Sequence, residues 1–240
     1  MIYSILIQKG GTGKTTTAAA LAQAAAFKGR KALSVDMDPQ GNLSYTLAAD
    51  PNRPGVFEIL HDMPAAEAIQ TTPQGVDVLT ARPQLQTEKT AQGSARRLQA
   101  ALQPIAGRYD YIFIDTPATA GELQYNALQA AQGIILPIQA DAYNLQSLYQ
   151  TLRTAAQIRA SNPELKTAGV IFTMYDGRPN INRKMREVIT EKCTDAGAPV
   201  LGAVRKTCAI SEAAALQMSL FEYAPRSTAA DDYLAILENL

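Results

Sequence analysis

The sequence predicts an α/β fold, a doubly wound and mainly parallel sheet with helices on both faces. Three observations predict it. Short runs rich in Ile, Val and Leu recur without polar alternation, as strands buried on both faces do. Longer helical stretches separate them, as crossovers between parallel strands require. A glycine-rich segment joins the first run directly to an alanine-rich helical stretch, the context in which a helix N-terminus receives phosphate.

In chain order, the predicted strands are Ile2 to Ile7, Ala32 to Val35, Val76 to Leu79, Tyr109 to Ile114, Gly133 to Ile138 and Ala168 to Thr173. The predicted helices are Thr15 to Phe27, then stretches near Thr87–Ala106, Gly121–Ala131, Tyr143–Ala160 and Asn180–Asp195. On the last, Ile181, Met185, Val188 and Ile189 are expected to share one face, with Arg183 and Arg186 opposite. Ala48–Gly55 contains proline and glycine and reads as a surface loop, not an interdomain linker. The sequence shows no internal repeat or low-complexity tract, so residues 1–240 are expected to form a single domain with a substantial core.

Apolar residues make up 47% of the chain and charged residues 18%, which excludes the disordered class. Net charge is zero, so any basic patch must be local. The opening MIYSILIQKGG carries no charged leader before a long apolar run, and no signal peptide is expected. No stretch approaches the ~20 apolar residues needed to span a bilayer. A soluble cytoplasmic protein is the expectation. Cys193 and Cys208 form no CxxC pair and are expected to be reduced, buried or half-buried thiols. His61, the lone histidine, is expected at the surface.

The chemistry concentrates in three segments. Lys9-Gly10-Gly11-Thr12-Gly13-Lys14-Thr15-Thr16 follows the first strand and opens the first helix, as a phosphate-binding loop does. Glycines let the backbone wrap phosphate and turn its N–H groups inward. Lys14 is expected on the β- and γ-phosphates, and the Thr15 hydroxyl on Mg²⁺. Tyr109 to Pro117 reads as a buried strand ending in Asp115, which would face the loop and hold Mg²⁺ through water. Ser34 to Asn42 places Asp36 and Asp38 just past the second strand. If the extended geometry persists, their side chains point the same way and form a metal-and-water group.

Together KGGTGKTT, VDMDPQGN and YIFIDTPA resemble the deviant Walker-type ATPases of the ParA/MinD superfamily, and among them most the Soj-like ParA partition ATPases. Pro137 to Asp141, Phe172 to Arg178 and Tyr223 to Ser227 agree, and the resemblance runs in order along the whole chain. It implies a P-loop NTPase of the deviant Walker A type with ATP and Mg²⁺ as ligands. It implies that Lys9 is the signature lysine, which in relatives reaches the ATP of the other subunit in a dimer. Asp38 matches the acid that positions the attacking water. Asp36 would support Mg²⁺ and the switch loop, to which Gln40 to Asn42 would belong. An in-cis arginine finger is not evident, so slow basal hydrolysis accelerated by a partner is expected.

ParA proteins bind non-specific DNA as ATP dimers and answer to a ParB-like partner. Residues 151–210 carry ten basic and five acidic side chains, a net of +5. Arg183, Arg186, Arg205 and Lys206 are the candidate phosphate contacts, which would make the protein nucleoid-associated. Family members often carry Arg-Asn-x-Arg before Leu-x-Glu-Ala; here Ala209 replaces the second arginine. The tail from Ala229 to Leu240 is acidic, unlike the basic membrane helix of MinD-like relatives, so membrane docking is not expected. Cys193 and Cys208 do not match the cluster ligands of nitrogenase-reductase relatives. No operator-reading N-terminal domain is expected. Two alternatives share the nucleotide chemistry: a positioning ATPase for a protein cargo, and an ATP-using metabolic enzyme of the dethiobiotin-synthetase type.

Overall fold

The computed structural model describes residues 1–87 and 94–240. Among the described residues the strands are β1 (Ile2–Ile5), β2 (Ala32–Asp36), β3 (Gln70–Thr71), β4 (Asp77–Leu79), β5 (Tyr111–Asp115), β6 (Gly133–Ile138), β7 (Lys166–Tyr175) and β8 (Val200–Arg205). They form one sheet in the order β3-β4-β2-β5-β1-β6-β7-β8. All neighbours are parallel except β3 and β4. The α-helices are α1 (Lys14–Phe27), α2 (Asn42–Thr46), α3 (Val56–Ile59), α4 (Ala65–Ala68), α5 (Arg97–Leu102), α6 (Glu122–Ala130), α7 (Ala142–Ile158), α8 (Asn180–Asp195), α9 (Ala209–Ala215), α10 (Leu220–Tyr223) and α11 (Thr228–Glu238). The strand order reverses around β1, which places the β1–α1 turn at the crevice where such sheets take ligands.

Helix α1 is alanine-rich, favourable for helix and narrow enough to lie close on the sheet. It ends where Gly29 takes a left-handed φ of 72°. There Arg30 N–H donates to the Ala25 carbonyl and Gly29 N–H to the Ala26 carbonyl, both at 2.9 Å, a Schellman termination. Successive strand residues point to opposite layers. Tyr3, Ile5, Phe113, Ile135 and Ile171 pack under α1 and α11. Ile112 and Ile114 pack with Leu33 and Val35 against α3 and α5, and Ile134, Leu136 and Phe172 against α7 and α8. The acidic tail is α11, whose Tyr233, Ile236 and Leu237 are buried in this core. No described helix is long and apolar enough to cross a membrane.

Several expectations change. The edge strands β3 and β8 were not anticipated, and β3 is too short to carry a pattern. The helix expected near Thr87–Ala106 is a 3₁₀ turn at Ser94–Arg96, then α5, with a second turn at Ala106–Arg108; its residues 88–93 lie outside those described. On α8 the expected face holds only in part: Ile189 is buried and Met185 packs against the core. Ile181 and Val188 are 63% and 42% exposed, whereas Ile189 and Cys193 are buried. Arg186, expected opposite, lies inward over the rings of Phe172 and Tyr175, 5.6 and 4.9 Å from their centroids. A guanidinium stacked on rings replaces apolar contact there. Cys193 is buried, but Cys208 is exposed; both are free thiols.

Phe113 is fully buried and stacks between Tyr3 and Tyr111, with centroids 5.9 and 5.7 Å away. Phe113→Ala is expected to destabilise the fold by about 3–5 kcal/mol. Urea unfolding checks this as a lower midpoint at unchanged m-value.

Candidate functional site

The register brings the chemistry together. Asp115 at the end of β5 lies opposite Asp36 at the end of β2 and Ile5 at the end of β1. Beyond Ile5 the chain enters the glycine loop. Gly11 and Gly13 take φ of 71° and 89°, a left-handed conformation that side chains disfavour. The loop's carbonyls are tied outward. Gln139 Nε2 donates to the Gly11 carbonyl at 3.0 Å, and Thr173 Oγ1 to the Thr12 carbonyl at 2.7 Å. The first-turn N–H groups of α1 have no intrahelical acceptors, and Gly13 has no side chain to cap them. The loop therefore presents donors at the positive end of a helix dipole, an anion site. Lys14 is buried, and its ammonium donates to the Lys9 carbonyl at 2.9 Å. Burial lowers its pKa, against the pull of Asp115 and Asp38.

Asp36 and Asp115 are both fully buried. Asp36 Oδ2 accepts from the Ser44 N–H at 2.8 Å and the Ser44 hydroxyl at 2.7 Å. Burial pushes its pKa up to about 6 in spite of these bonds. Asp115 is pushed well above the carboxylate range, by burial first and by Asp36 second, with Thr15 and Lys14 opposing. Neither Asp115 oxygen has a hydrogen-bond partner of ordinary geometry. Thr15 lowers the Asp115 pKa but makes no such bond, so its hydroxyl is a near neighbour, not a satisfied partner. An orphaned buried carboxylate beside a hydroxyl fits a hard cation with oxygen ligands. No cluster of three or more His, Cys, Asp or Glu side chains suited to a metal occurs among the described residues.

The expected parallel pair of Asp36 and Asp38 is not seen. The strand ends at Asp36, and the Asp38 N–H turns back to Asp36 Oδ1 at 3.1 Å. Asp38 is instead half-buried and holds the Gln40 N–H at 3.0 Å. It lines a cavity of ≈ 400 Å³ with Gln40, Pro117, Gly121 and Glu122. Lys9 points to the other side of the loop. Its ammonium pairs with Asp141 at 3.5 Å and lies 5.7 Å from the centre of the Tyr143 ring. Asp141 caps α7 through the Asn144 N–H at 2.9 Å.

The four basic candidates are not grouped as one free surface. Arg205 makes a pair with Asp232, with Nη2 2.7 Å from Oδ1 and Nε 3.0 Å from Oδ2. Arg186 is stacked as described above. Arg183 is exposed and donates to Asn180 Oδ1 and, at 3.3 Å, to the Gly177 carbonyl. Lys206 is exposed. Ala209 opens α9 and is partly buried against the α1 layer.

Sequence reasoning missed the roles of Ser44, Gln139, Asp141 and Thr173. The segments holding Gln139, Asp141 and Thr173 carried the family resemblance, but a side chain that ties a distant carbonyl leaves no local periodicity to read.

A family model described as an AAA domain matches residues 1–167. The chain is 36% identical to the chromosome partitioning protein ParA of Myxococcus xanthus, over 98% of this chain and 86% of that protein. It is 34% identical to the sporulation initiation inhibitor protein Soj of Bacillus subtilis, over 100% and 97%. Its structure resembles that of cobyrinic acid a,c-diamide synthase from Mycobacterium smegmatis with bound ATP analog and magnesium. The TM-score there is 0.83 at 30% identity, covering 99% of this chain and 92% of that one.

A carboxyl group whose native pKa is raised holds its proton longer in the folded than in the unfolded state. Its contribution therefore falls as pH rises. For Asp36 the window runs from about 3.9, the ordinary aspartate value, to about 6; Asp115 carries the loss to higher pH. Asp115→Asn removes a buried charge at nearly constant volume. It is expected to melt higher than the parent at pH 8 without nucleotide or metal, and to flatten the pH dependence. It should also lose the extra stabilisation that magnesium adds to ATP. Thermal melts at pH 5 and pH 8, first without ligand and then with ATP and magnesium in the presence and absence of EDTA, check all three.

Proposed function

Because the chain belongs to the ParA/MinD-type partition ATPases, we propose that it is an ATP-driven DNA-partition switch working as one domain over residues 1–240. The protein is an ATPase, and relatives of this fold bind adenine nucleotide with magnesium. One observation carries the site reading: an orphaned buried carboxylate, Asp115, faces the anion loop beside Asp36 and Lys14. Gly10 to Thr16 would receive the phosphates through backbone N–H groups, with Lys14 on the β- and γ-phosphates. Thr15 and Asp115, backed by Asp36, would hold Mg²⁺, which supplies charge neutralisation at the phosphates. Asp38, beside the open cavity, would accept a hydrogen bond from the attacking water and orient it.

Lys9 would bridge to the nucleotide of a second copy. Its present contacts support this: a half-buried pair as long as 3.5 Å is a weak contact, near the ~1 kcal/mol of surface pairs, so a triphosphate competes readily for the ammonium. The dimer would bind DNA backbone non-specifically, and a ParB-like partner would trigger hydrolysis and release. Arg183, whose bonds go to neutral acceptors near the start of its own helix, and Lys206 are the better phosphate contacts, since Arg205 is ion-paired with Asp232 and Arg186 is stacked on two rings. A cytoplasmic, nucleoid-associated protein follows from this reading. A second reading, an ATP-using synthase, draws on the solved relative of that name. It predicts turnover stimulated by a small carboxylate or amine alone.

Lys14→Ala is expected to lose ATP binding by titration calorimetry. Asp38→Ala should keep nucleotide binding but lose at least about a hundredfold in turnover; normal turnover there removes Asp38 from the water site. Co-sedimentation with DNA is expected with ATP and not with ADP, weakening steeply over a salt series. Absence of binding at low salt would point instead to positioning of a protein cargo.

A further inference from the structure

We propose that Gln74 and Gln217 are positioning residues for hydrolysis, capping helix α2 from outside and so holding the Asp38 loop in place. This rests on the reading of Asp38 as the residue that orients water. Helix α2 is five residues long, too short to hold itself together. It is built directly on the Asp38 turn: Gly41 N–H donates to the Asp38 carbonyl at 2.9 Å, and Tyr45 N–H to the Gly41 carbonyl at 2.9 Å. At its other end the Tyr45 carbonyl accepts from the Ala48 N–H at 3.0 Å with a lone pair to spare, and the Thr46 carbonyl lies among the last of the helix, past its N–H donors.

Two side-chain amides from distant parts of the chain meet those carbonyls. Gln74 Nε2 donates to the Thr46 carbonyl at 2.8 Å and to the Gln217 carbonyl at 2.9 Å. Gln217 Nε2 donates to the Tyr45 carbonyl at 2.8 Å. The orientation of the Gln74 amide is itself set. Its Oε1 accepts from Gln23 Nε2 at 2.7 Å, and Gln23 Oε1 accepts from the Leu220 N–H at 3.2 Å. Both hydrogens of the Gln74 amide and one lone pair of its oxygen are thus engaged, which a carboxylate of the same shape cannot reproduce. Gln23 is buried on α1, the helix whose first turn forms the phosphate loop. Gln217 takes a left-handed φ of 53°, a conformation uncommon outside glycine, and both its carbonyl and its side chain serve the network. The network joins α1, the β3–β4 turn and the connection from α9 to α10 to the far end of α2. Asp36, through Ser44, grips the same helix from inside.

Two variants test the proposal. Gln74→Glu keeps shape and can still accept from Gln23, but it cannot donate to the two carbonyls. Gln217→Gly removes the side chain while keeping the carbonyl that Gln74 uses, and it relieves the left-handed backbone, which offsets the lost bond, so it should melt close to the parent. Both are expected to lower the rate of single-site ATP turnover about tenfold, as a small displacement of a water-orienting group does. ATP affinity should change by less than about twofold, the split that marks an interaction made only during reaction. Hydrogen exchange across Leu43–Leu47 should accelerate in both. Unchanged exchange there overturns the capping role. Faster exchange with parental turnover, in a protein whose Asp38→Ala variant is inactive, overturns the positioning role. The Asp38→Ala variant reads the water-orienting assignment separately, because exchange in α2 reports on capping whether or not Asp38 acts on water.

Discussion

Asp36 and Asp115 stand side by side at the ends of adjacent parallel strands, both withdrawn from water. Burying carboxylates is unfavourable unless something offsets it. Asp36 is compensated by Ser44 and the turn at Asp38, and Asp115 by almost nothing within the chain. The sheet register enforces this juxtaposition, since a slip of one residue would turn every side chain of a strand to the other face. The apolar layers beneath α1 and against α3, α5, α7 and α8 lock that register. The site thus stores an electrostatic deficit, held by hydrophobic packing, that a cation bound with phosphate would relieve. Binding energy spent on relieving it can be coupled to the shape of the surrounding loops.

Around this pair the loops are positioned from outside. Gln139 and Thr173, from the ends of β6 and β7, pull the carbonyls of the glycine loop away from the space where phosphate belongs. Ser44 ties α2 to Asp36. Gln74 and Gln217 hold the other end of α2. Lys9 rests on Asp141 and Tyr143 at the start of α7, through contacts weak enough to exchange. Ligand-sensing parts are drawn from such lightly held segments, while the strands that carry the carboxylates are rigid.

Much of this was legible in the chain. The phosphate loop announced itself because its chemistry is local: glycines, lysine and threonine must be contiguous and must sit between a strand and a helix. Asp115 was legible because it ends an uninterrupted apolar strand. Strands β1, β2, β4, β5, β6 and β7 and helices α1, α7 and α8 were legible because burial leaves a periodic or continuous apolar trace. The failures have physical causes too. Arg186 was expected outside α8, but its stem and guanidinium cover Phe172 and Tyr175. Of the four residues expected on one face of α8, Met185 and Ile189 turn to the core with Cys193, while Ile181 and Val188 stay exposed. Asp36 and Asp38 were expected to project together, but the strand ends at Asp36, whose carboxylate takes the Asp38 N–H in an Asx turn. Arg205 looked free for a ligand until α11 brought Asp232 against it.

By itself the sequence determined the fold class, the glycine-rich turn between β1 and α1 and the acids and lysines that lie near it, because each depends on residues close together in the chain. The tertiary structure alone decided which of those groups are buried, which basic side chains are already paired, and how α2 is held. Those outcomes arise between residues tens to hundreds of positions apart, such as Thr12 and Thr173 or Tyr45 and Gln217. Contacts of that kind have no spacing rule, since hydrogen bonds and ion pairs form wherever packing brings a donor to an acceptor.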